Sequence, residues 1–182
     1  MNVYKLAYPE GAQWVRPVRG EDDETLRFDG TPRLSTWQPI PAYLDVTDDS
    51  GKPRVLYNFA PCSGSGILML DERAKHLIGE WLEPFGELLP LSIKEGPAFW
   101  AYNVTRVVDA LDVGQSEIVR GTATGAIMMV RKHVFLADVV AGQTAFKIPE
   151  LLRTSIFVND EFVSRIRDSG LTGLEFSKVW SG

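Results

Sequence analysis

Asn103-Val104-Thr105-Arg106-Val107-Val108-Asp109-Ala110-Leu111-Asp112 follows the aromatic, strand-like run Ala98-Phe99-Trp100-Ala101-Tyr102, and its reading decides the architecture. Polar side chains stand at Asn103, Arg106, Asp109 and Asp112, every third residue, with Val104, Val107, Val108 and Leu111 between them. A spacing of three or four is a helical period, and the strict alternation of a strand is missing. The sequence therefore predicts a strand that leaves its sheet at Asn103 and tightens into one or two helical turns. Arg106 then lies one turn from Asp109, where an exposed i,i+3 ion pair is worth about 0.2–0.5 kcal/mol. Asn and Asp favour such places for backbone reasons alone. The set is thus either a structural corner or a site built from one Asn, one Arg and two Asp.

Outward from this stretch, the clearest element lies upstream. Ile67-Leu68-Met69-Leu70 reads as a short buried strand, and Asp71 is a good N-cap with Glu72 in the first turn facing the helix dipole. Ala74, Leu77, Ile78, Trp81 and Leu82 then fall at i, i+3, i+4, i+7 and i+8, an apolar stripe down one helical face. Pro84 and Gly86 end the helix, giving Asp71–Leu82. His76 falls beside the stripe and reads as a surface residue. Glu87–Ile93 and Ala98–Asn103 look like strands about the turn Lys94-Glu95-Gly96-Pro97. Downstream, Ser116–Arg120 and Ala126–Arg131 flank a Gly/Thr loop, and His133–Val140 is a further strand candidate. Ser155–Val158 is a short strand, Asn159 or Asp160 caps a second helix running to Ser169, Gly170 closes it, and Leu174–Trp180 returns as a strand. The order strand, Asx cap, helix, Gly occurs twice, as a common α+β block or as a diverged duplication.

The central stretch also carries a resemblance, together with Phe146-Lys147-Ile148, Ile156-Phe157-Val158-Asn159-Asp160-Glu161-Phe162 and Gly170-Leu171-Thr172-Gly173-Leu174-Glu175-Phe176. In order and spacing these motifs resemble immunity protein family eleven of the bacterial polymorphic toxin systems, formerly a domain of unknown function. The resemblance spans roughly Ile67 to Trp180. It implies a cytoplasmic protein that binds and neutralises a cognate toxin, and it supplies no catalytic residues.

The N-terminal third is less regular. Val3–Tyr8 reads as a first strand closed by Pro9-Glu10-Gly11. Gly20–Glu24 reads as an acidic turn, and Asp29-Gly30-Thr31-Pro32 and Asp48–Pro53 as further turns. Thr25–Phe28 and Tyr43–Val46 are candidate edge strands, and Trp37-Gln38-Pro39-Ile40-Pro41 is extended, because each proline pushes its predecessor out of the helical region. No linker or long charge run separates this section. The expected fold is a single α+β domain over residues 1–182, with a loop-rich part at 1–66 and a family-like part at 67–180. Its sheet is largely antiparallel, with two principal helices.

A chain of 182 residues can bury roughly 70% of its unfolded surface without staples. Its 45% hydrophobic and 24% charged content is that of an ordinary soluble protein. A net charge of -5 argues against a nucleic-acid or membrane-surface binder, which normally carries a basic patch. It suits steered capture of a basic toxin. The single cysteine, Cys62, rules out an internal disulfide and favours a reducing compartment. The N-terminus lacks a signal pattern and no apolar run is long enough to cross a bilayer, so a cytoplasmic location is expected.

Chemistry is hard to assemble from these residues. Pro61-Cys62-Ser63-Gly64-Ser65-Gly66 lacks both the P-loop lysine and the nucleophile-elbow spacing, and reads as a connection. His76 and His133 stand in no metal-ligand spacing, so neither metal nor cofactor is expected. The chain reads as a binder rather than an enzyme. Candidate anchors are Trp14 and Trp37 in the irregular section, with Glu21, Asp22, Asp23 and Glu24 as the face for a basic toxin. Trp81 and Trp100 read as core. Two alternatives stand beside this: an enzyme using Arg106, Asp109 and Asp112 in a pocket, and a scaffold or regulatory domain without a toxin partner. The oligomeric state is open.

Overall fold

Asp71 begins the helix that the sequence marks most clearly, and its side chain accepts the backbone N–H of Ala74 at 2.8 Å. Our computed structural model describes residues 1–62 and 66–182. The Ser63-Gly64-Ser65 part of the expected connection lies outside the described residues. In chain order the strands are β1 (Asn2–Ala7), β2 (Trp14–Pro17), β3 (Ile40–Asp45), β4 (Phe59–Ala60), β5 (Leu68–Asp71), β6 (Gly86–Ile93), β7 (Phe99–Val104), β8 (Glu117–Arg120), β9 (Ile127–Lys132), β10 (Ala145–Phe146), β11 (Phe157–Asn159) and β12 (Glu175–Ser181). The helices are α1 (Glu21–Thr25), α2 (Glu72–Leu82), α3 (Ala137–Val140) and α4 (Asp160–Asp168).

The strands form a six-stranded sheet in the order β2-β3-β6-β7-β5-β4, a four-stranded sheet β10-β11-β1-β12, and the hairpin β8-β9. Their pairings are antiparallel except β3 with β6. The fold is α+β, with α2 and α4 as its long helices. Period-two side-chain alternation divides the core. Leu68, Leu70, Tyr102 and Val104 face one side of the large sheet, where they meet Ile78 and Leu82 of α2 and Phe162 and Ile166 of α4. Met69, Phe99 and Ala101 face the other side, against Leu26, Phe28 and Ile40. A third cluster, with Val3, Phe146, Phe157 and Phe135, fills the space between the small sheet and the hairpin. Each large side chain so buried contributes roughly 1.5–3 kcal/mol, an upper estimate.

Both strand–cap–helix blocks form. Asn159 accepts from Phe162 N at 3.0 Å as Asp71 does for α2. Their strands lie in different sheets while their helices share one core.

Several expectations are corrected. After Asn103 the chain makes no helical turn, because its backbone is claimed sideways by neighbouring segments. Thr105 N and Arg106 N donate to Phe85 O, Lys147 N donates to Arg106 O at 2.8 Å, and Val108 N donates to Lys147 O at 2.9 Å. Arg106 turns to Gln143 rather than Asp109. Thr25–Phe28 is the end of α1 and a buried coil, not a strand, and the acidic turn at Gly20–Glu24 is the start of that helix. His133–Val140 bridges to Leu111 only at Phe135 before turning into α3. Strands β2 and β4 lie in the section read as irregular. On α2 the stripe is narrower than expected. Leu77 is 44% exposed, and buried Gly79 takes its place where Leu88 of β6 comes close. Trp81 and Trp100 are half-buried, each under a cation: Arg165 at 4.8 Å and Lys75 at 4.5 Å from the ring centres.

Four polar ties join sequence-distant segments. Fully buried Lys147 donates from Nζ to the carbonyls of Phe28 (2.7 Å), Leu152 (2.7 Å) and Gly66 (3.3 Å), one acceptor for each N–H of the ammonium. Buried Asn103 donates to Thr31 O and Glu87, and Glu87 accepts the backbone N–H groups of Arg33 and Leu34. Asp160 accepts from Asn2 N, Asn2 Nδ2 and Tyr4 Oη, all within 2.9 Å, which clamps β1 to the start of α4. Asn58 donates to Asp71 and accepts from both Thr172 N and its hydroxyl, so the Gly170–Phe176 loop braces the cap of α2.

Two tests follow from these ties. Gly173 has φ +101, and a Cβ there would meet Phe59 O and Tyr57 at 2.5 Å; Gly170 has φ +64 but open space. Gly173→Ala is expected to cost about 3 kcal/mol or more in urea unfolding, and Gly170→Ala about 1 kcal/mol. Equal losses would show that crowding at Phe59 is immaterial. Lys147→Met leaves three carbonyls without their donor and is expected to cost about 3 kcal/mol or more near pH 7. Burial lowers the Lys147 pKa from 10.5 to about 8, with Asp29 opposing. Between those values the unfolded chain holds the extra proton, so wild-type stability rises with pH there. The gap between wild type and Lys147→Met should therefore widen from about pH 7.5 to about pH 10. A narrowing gap would show that the folded state favours the ammonium form.

Candidate partner-binding surface

The polar residues of the central stretch do not converge. Asn103 is buried, and its amide nitrogen donates to Thr31 O and Glu87. Arg106 lies on the surface, with Nε donating to Gln143 Oε1 at 2.9 Å. Asp112 folds back on its own turn, accepting from Gly114 N, Gln115 N and Gln115 Nε2. Asp109 is exposed. Asp112 serves its own turn, whereas Asn103 and Arg106 reach to separate distant segments. Among the described residues, no group of three or more His, Cys, Asp or Glu stands close enough to hold a metal ion.

Trp14 lies beside a cavity. It opens β2 opposite Asp45 and is half-buried, with the Arg16 guanidinium over its ring at 5.0 Å and held there by Asp45 at 2.8 Å. Its indole helps line a cavity of about 760 Å³ where the end of β1 meets the segment before β11, with Lys5, Tyr8, Arg54, Cys62 and Ile156 among the other walls. Tyr8 donates to Ile67 O at 2.9 Å, and burial pushes its phenol pKa up. Lys5 points towards the Phe157 ring at 5.5 Å, and desolvation lowers its pKa. The cavity wall is thus mixed, with the aromatic Tyr8 and Trp14, the cations Lys5 and Arg54 and the carboxylate Glu10.

Glu21, Asp22, Asp23 and Glu24 form α1, whose side chains include no buried residue. Three arginines surround this acidic face. Arg19 approaches Glu21 at 3.8 Å, and Arg27 and Arg153 reach Glu24 at 3.2 and 3.1 Å. Arg153 also lies 3.9 Å from Asp29, and its contact with Glu24 ties α1 to the segment whose Thr154, Ser155 and Ile156 line the cavity. These exposed pairs are individually worth little, but they reduce the charge that α1 offers to a partner. Trp37 is half-buried. Its indole N–H donates to Pro90 O at 2.8 Å, and its ring meets Phe28 edge-on at 6.1 Å. It therefore braces the segment after α1 against the large sheet.

Sequence reasoning did not single out the face of the β8-β9 hairpin. Met128 and Met129 are 70% and 55% exposed there. The signal was present as an unbroken apolar run, Ile127-Met128-Met129-Val130, inside a strand that ought to alternate.

The corner, the buried Lys147, the Asn159–Asp160 cap and the Gly170–Phe176 loop all fall within residues 91–181, which a family model described as an immunity protein family (Imm11) matches. That match covers half of the chain and starts at β6, later than the Ile67 suggested by the motifs; Trp14 and α1 lie before it. No curated protein matches the chain. With the motifs placed at the joints of the fold and half the chain matched, this protein belongs to the immunity protein family Imm11.

Proposed function

We propose that the protein neutralises a cognate bacterial toxin in the cytoplasm by binding it one to one, without chemistry of its own. Family membership carries this reading. The dispersal of Asn103, Arg106, Asp109 and Asp112 supports it over an enzyme, since the carboxylates of Asp109 and Asp112 share no hydrogen-bond partner among the described residues. No helix among the described residues is long and apolar enough to cross a membrane. The reading takes residues 1–182 as one folded unit, supported by the ties from Lys147, Asn103 and Asp160 into the first third of the chain.

In this reading Trp14 is an aromatic anchor at the cavity rim, and the carboxylates of Glu21, Asp22, Asp23 and Glu24 attract a basic patch on the toxin. Trp37 acts from behind by holding the adjacent loop. An aromatic anchor beside a charged face is the usual energetic layout of a binding site, with the charges acting mainly on the association rate.

The test is growth of a bacterial host in which the toxin-like reading frame beside this gene is induced, with and without this protein. Survival with a co-purifying one-to-one complex is the expected outcome. Survival without a complex would mean that the protein reverses the damage chemically, and death despite good expression would end the immunity reading. Within a complex, Glu21→Lys combined with Glu24→Lys should slow association about tenfold at low ionic strength, and far less in high salt. A rate that ignores both the substitution and the salt would move the interface away from α1.

A further inference from the structure

Met128 and Met129 are the most exposed pair of adjacent large apolar side chains among the described residues. The cause is a break in register. Val119 pairs with Met129 and Arg120 with Ile127, so Met128 has no residue opposite it, and the bulge leaves both methionines open to water. The hairpin is anchored from beneath by Val130, with Ile118 and Ile127, on the cluster containing Phe135 and Leu151. Its strands pair only with each other.

Charge sets this face apart from the rest of the molecule. Arg120, Arg131 and Lys132 are exposed around the methionines. Arg120 holds the loop through Gly125 O at 2.9 Å, while Arg131 and Lys132 stand in no ion pair; the ion pairs of the described residues lie at β2-β3 and around α1. Two carboxylates stand near. Glu117 faces Lys132 across the ladder, and Glu150 lies on the turn Pro149–Leu151 packed against β9. In a chain of net charge -5, three cations against two carboxylates leave this apolar patch with a net positive surround.

Cations and bulges also protect free strand edges from pairing with other chains. That accounts for Arg131, Lys132 and the broken register. It does not account for two methionines turned to water, which raise the risk that such devices reduce. Methionine is the adaptable apolar side chain of recognition surfaces, able to repack against a partner. A nucleic acid suits the face less well, since residues 117–132 include no aromatic side chain for a base to stack on.

We propose that the outer face of the β8-β9 hairpin is a docking surface for the toxin, receiving an apolar knob on that protein flanked by carboxylates. This rests on the reading of the chain as a toxin-binding protein and adds a second contact, opposite in sign to α1. The toxin would then present acidic groups to the hairpin and basic groups to α1.

The experiment titrates the purified product of the adjacent toxin-like reading frame into wild type, Met128→Ser/Met129→Ser, and Arg131→Glu/Lys132→Glu, with thermal melts as the folding control. Lys132→Glu alone replaces the double charge reversal if that variant fails to fold. The expected result is a Kd raised about 100-fold by the methionine pair and at least about tenfold by the charge reversal. Changing one toxin carboxylate to lysine should then restore binding to the charge-reversed protein. Wild-type affinity in both variants would overturn the proposal and leave the immunity reading intact. Loss of binding to a short single-stranded RNA, with the toxin still held, would reassign the face to nucleic acid and overturn it too. If wild type neither binds the toxin nor protects against it, the immunity reading fails and takes the proposal with it.

Discussion

The buried Lys147 ammonium is held among the described residues by three carbonyls drawn from three separate parts of the chain. An ammonium in that position demands all three acceptors, because each N–H left bare would add to the cost of desolvating the charge. The constraint also runs outward. The carbonyl of Phe28 is in place only if the coil after α1 is folded, that of Gly66 only if the chain entering β5 is folded, and that of Leu152 only if the turn before β11 is formed. The main chain of Lys147 meanwhile holds the central corner straight through Arg106 and Val108. One residue therefore joins the first third of the chain, the start of the large sheet and the corner that leaves it.

The other motifs that suggested the family work in a similar way. Asp160 grips the first strand, Asn103 grips the Thr31–Leu34 loop with Glu87, and the Gly170–Phe176 loop supports the cap of α2 through Asn58. These are joints, and their positions are dictated by what must be joined. A chain recognised by its joints is recognised by its architecture, and in the proposed function the choice of partner falls to surfaces that the joints leave free. Two such surfaces differ in sign: α1, its acids partly neutralised by Arg19, Arg27 and Arg153, and the hairpin, whose cations stand in no ion pair among the described residues.

This division bears on how such a protein can change partner while keeping its fold. No residue of α1 is fully buried, and the outer face of β8-β9 rests on a core supplied by its inner face. Substitutions there leave Lys147, Asp160 and the helix caps untouched. Changes at the joints would instead act through stability, by leaving buried polar groups without partners.

Local signals in the sequence were sufficient wherever the deciding interaction spans a few residues. Asp71 and Asn159 cap helices three residues ahead of them, the Asp48 turn closes on Ser50 and Lys52, and strands β6, β7, β8 and β9 follow from apolar runs between glycines. The family motifs, the α+β class and the placing of α2 and α4 were legible for the same reason. Tertiary structure decided the remainder. The three-residue polar period after Asn103 reads as helix, yet Lys147, far later in the chain, takes hydrogen bonds a helix would need. Leu77 and Met128 are apolar but exposed, because a nearby strand and a bulge fix which way the neighbouring backbone turns. Lys147 itself looks like a surface residue in the sequence. Its burial depends on three carbonyls set by distant segments, and no pattern of neighbouring side chains records where a distant carbonyl will point.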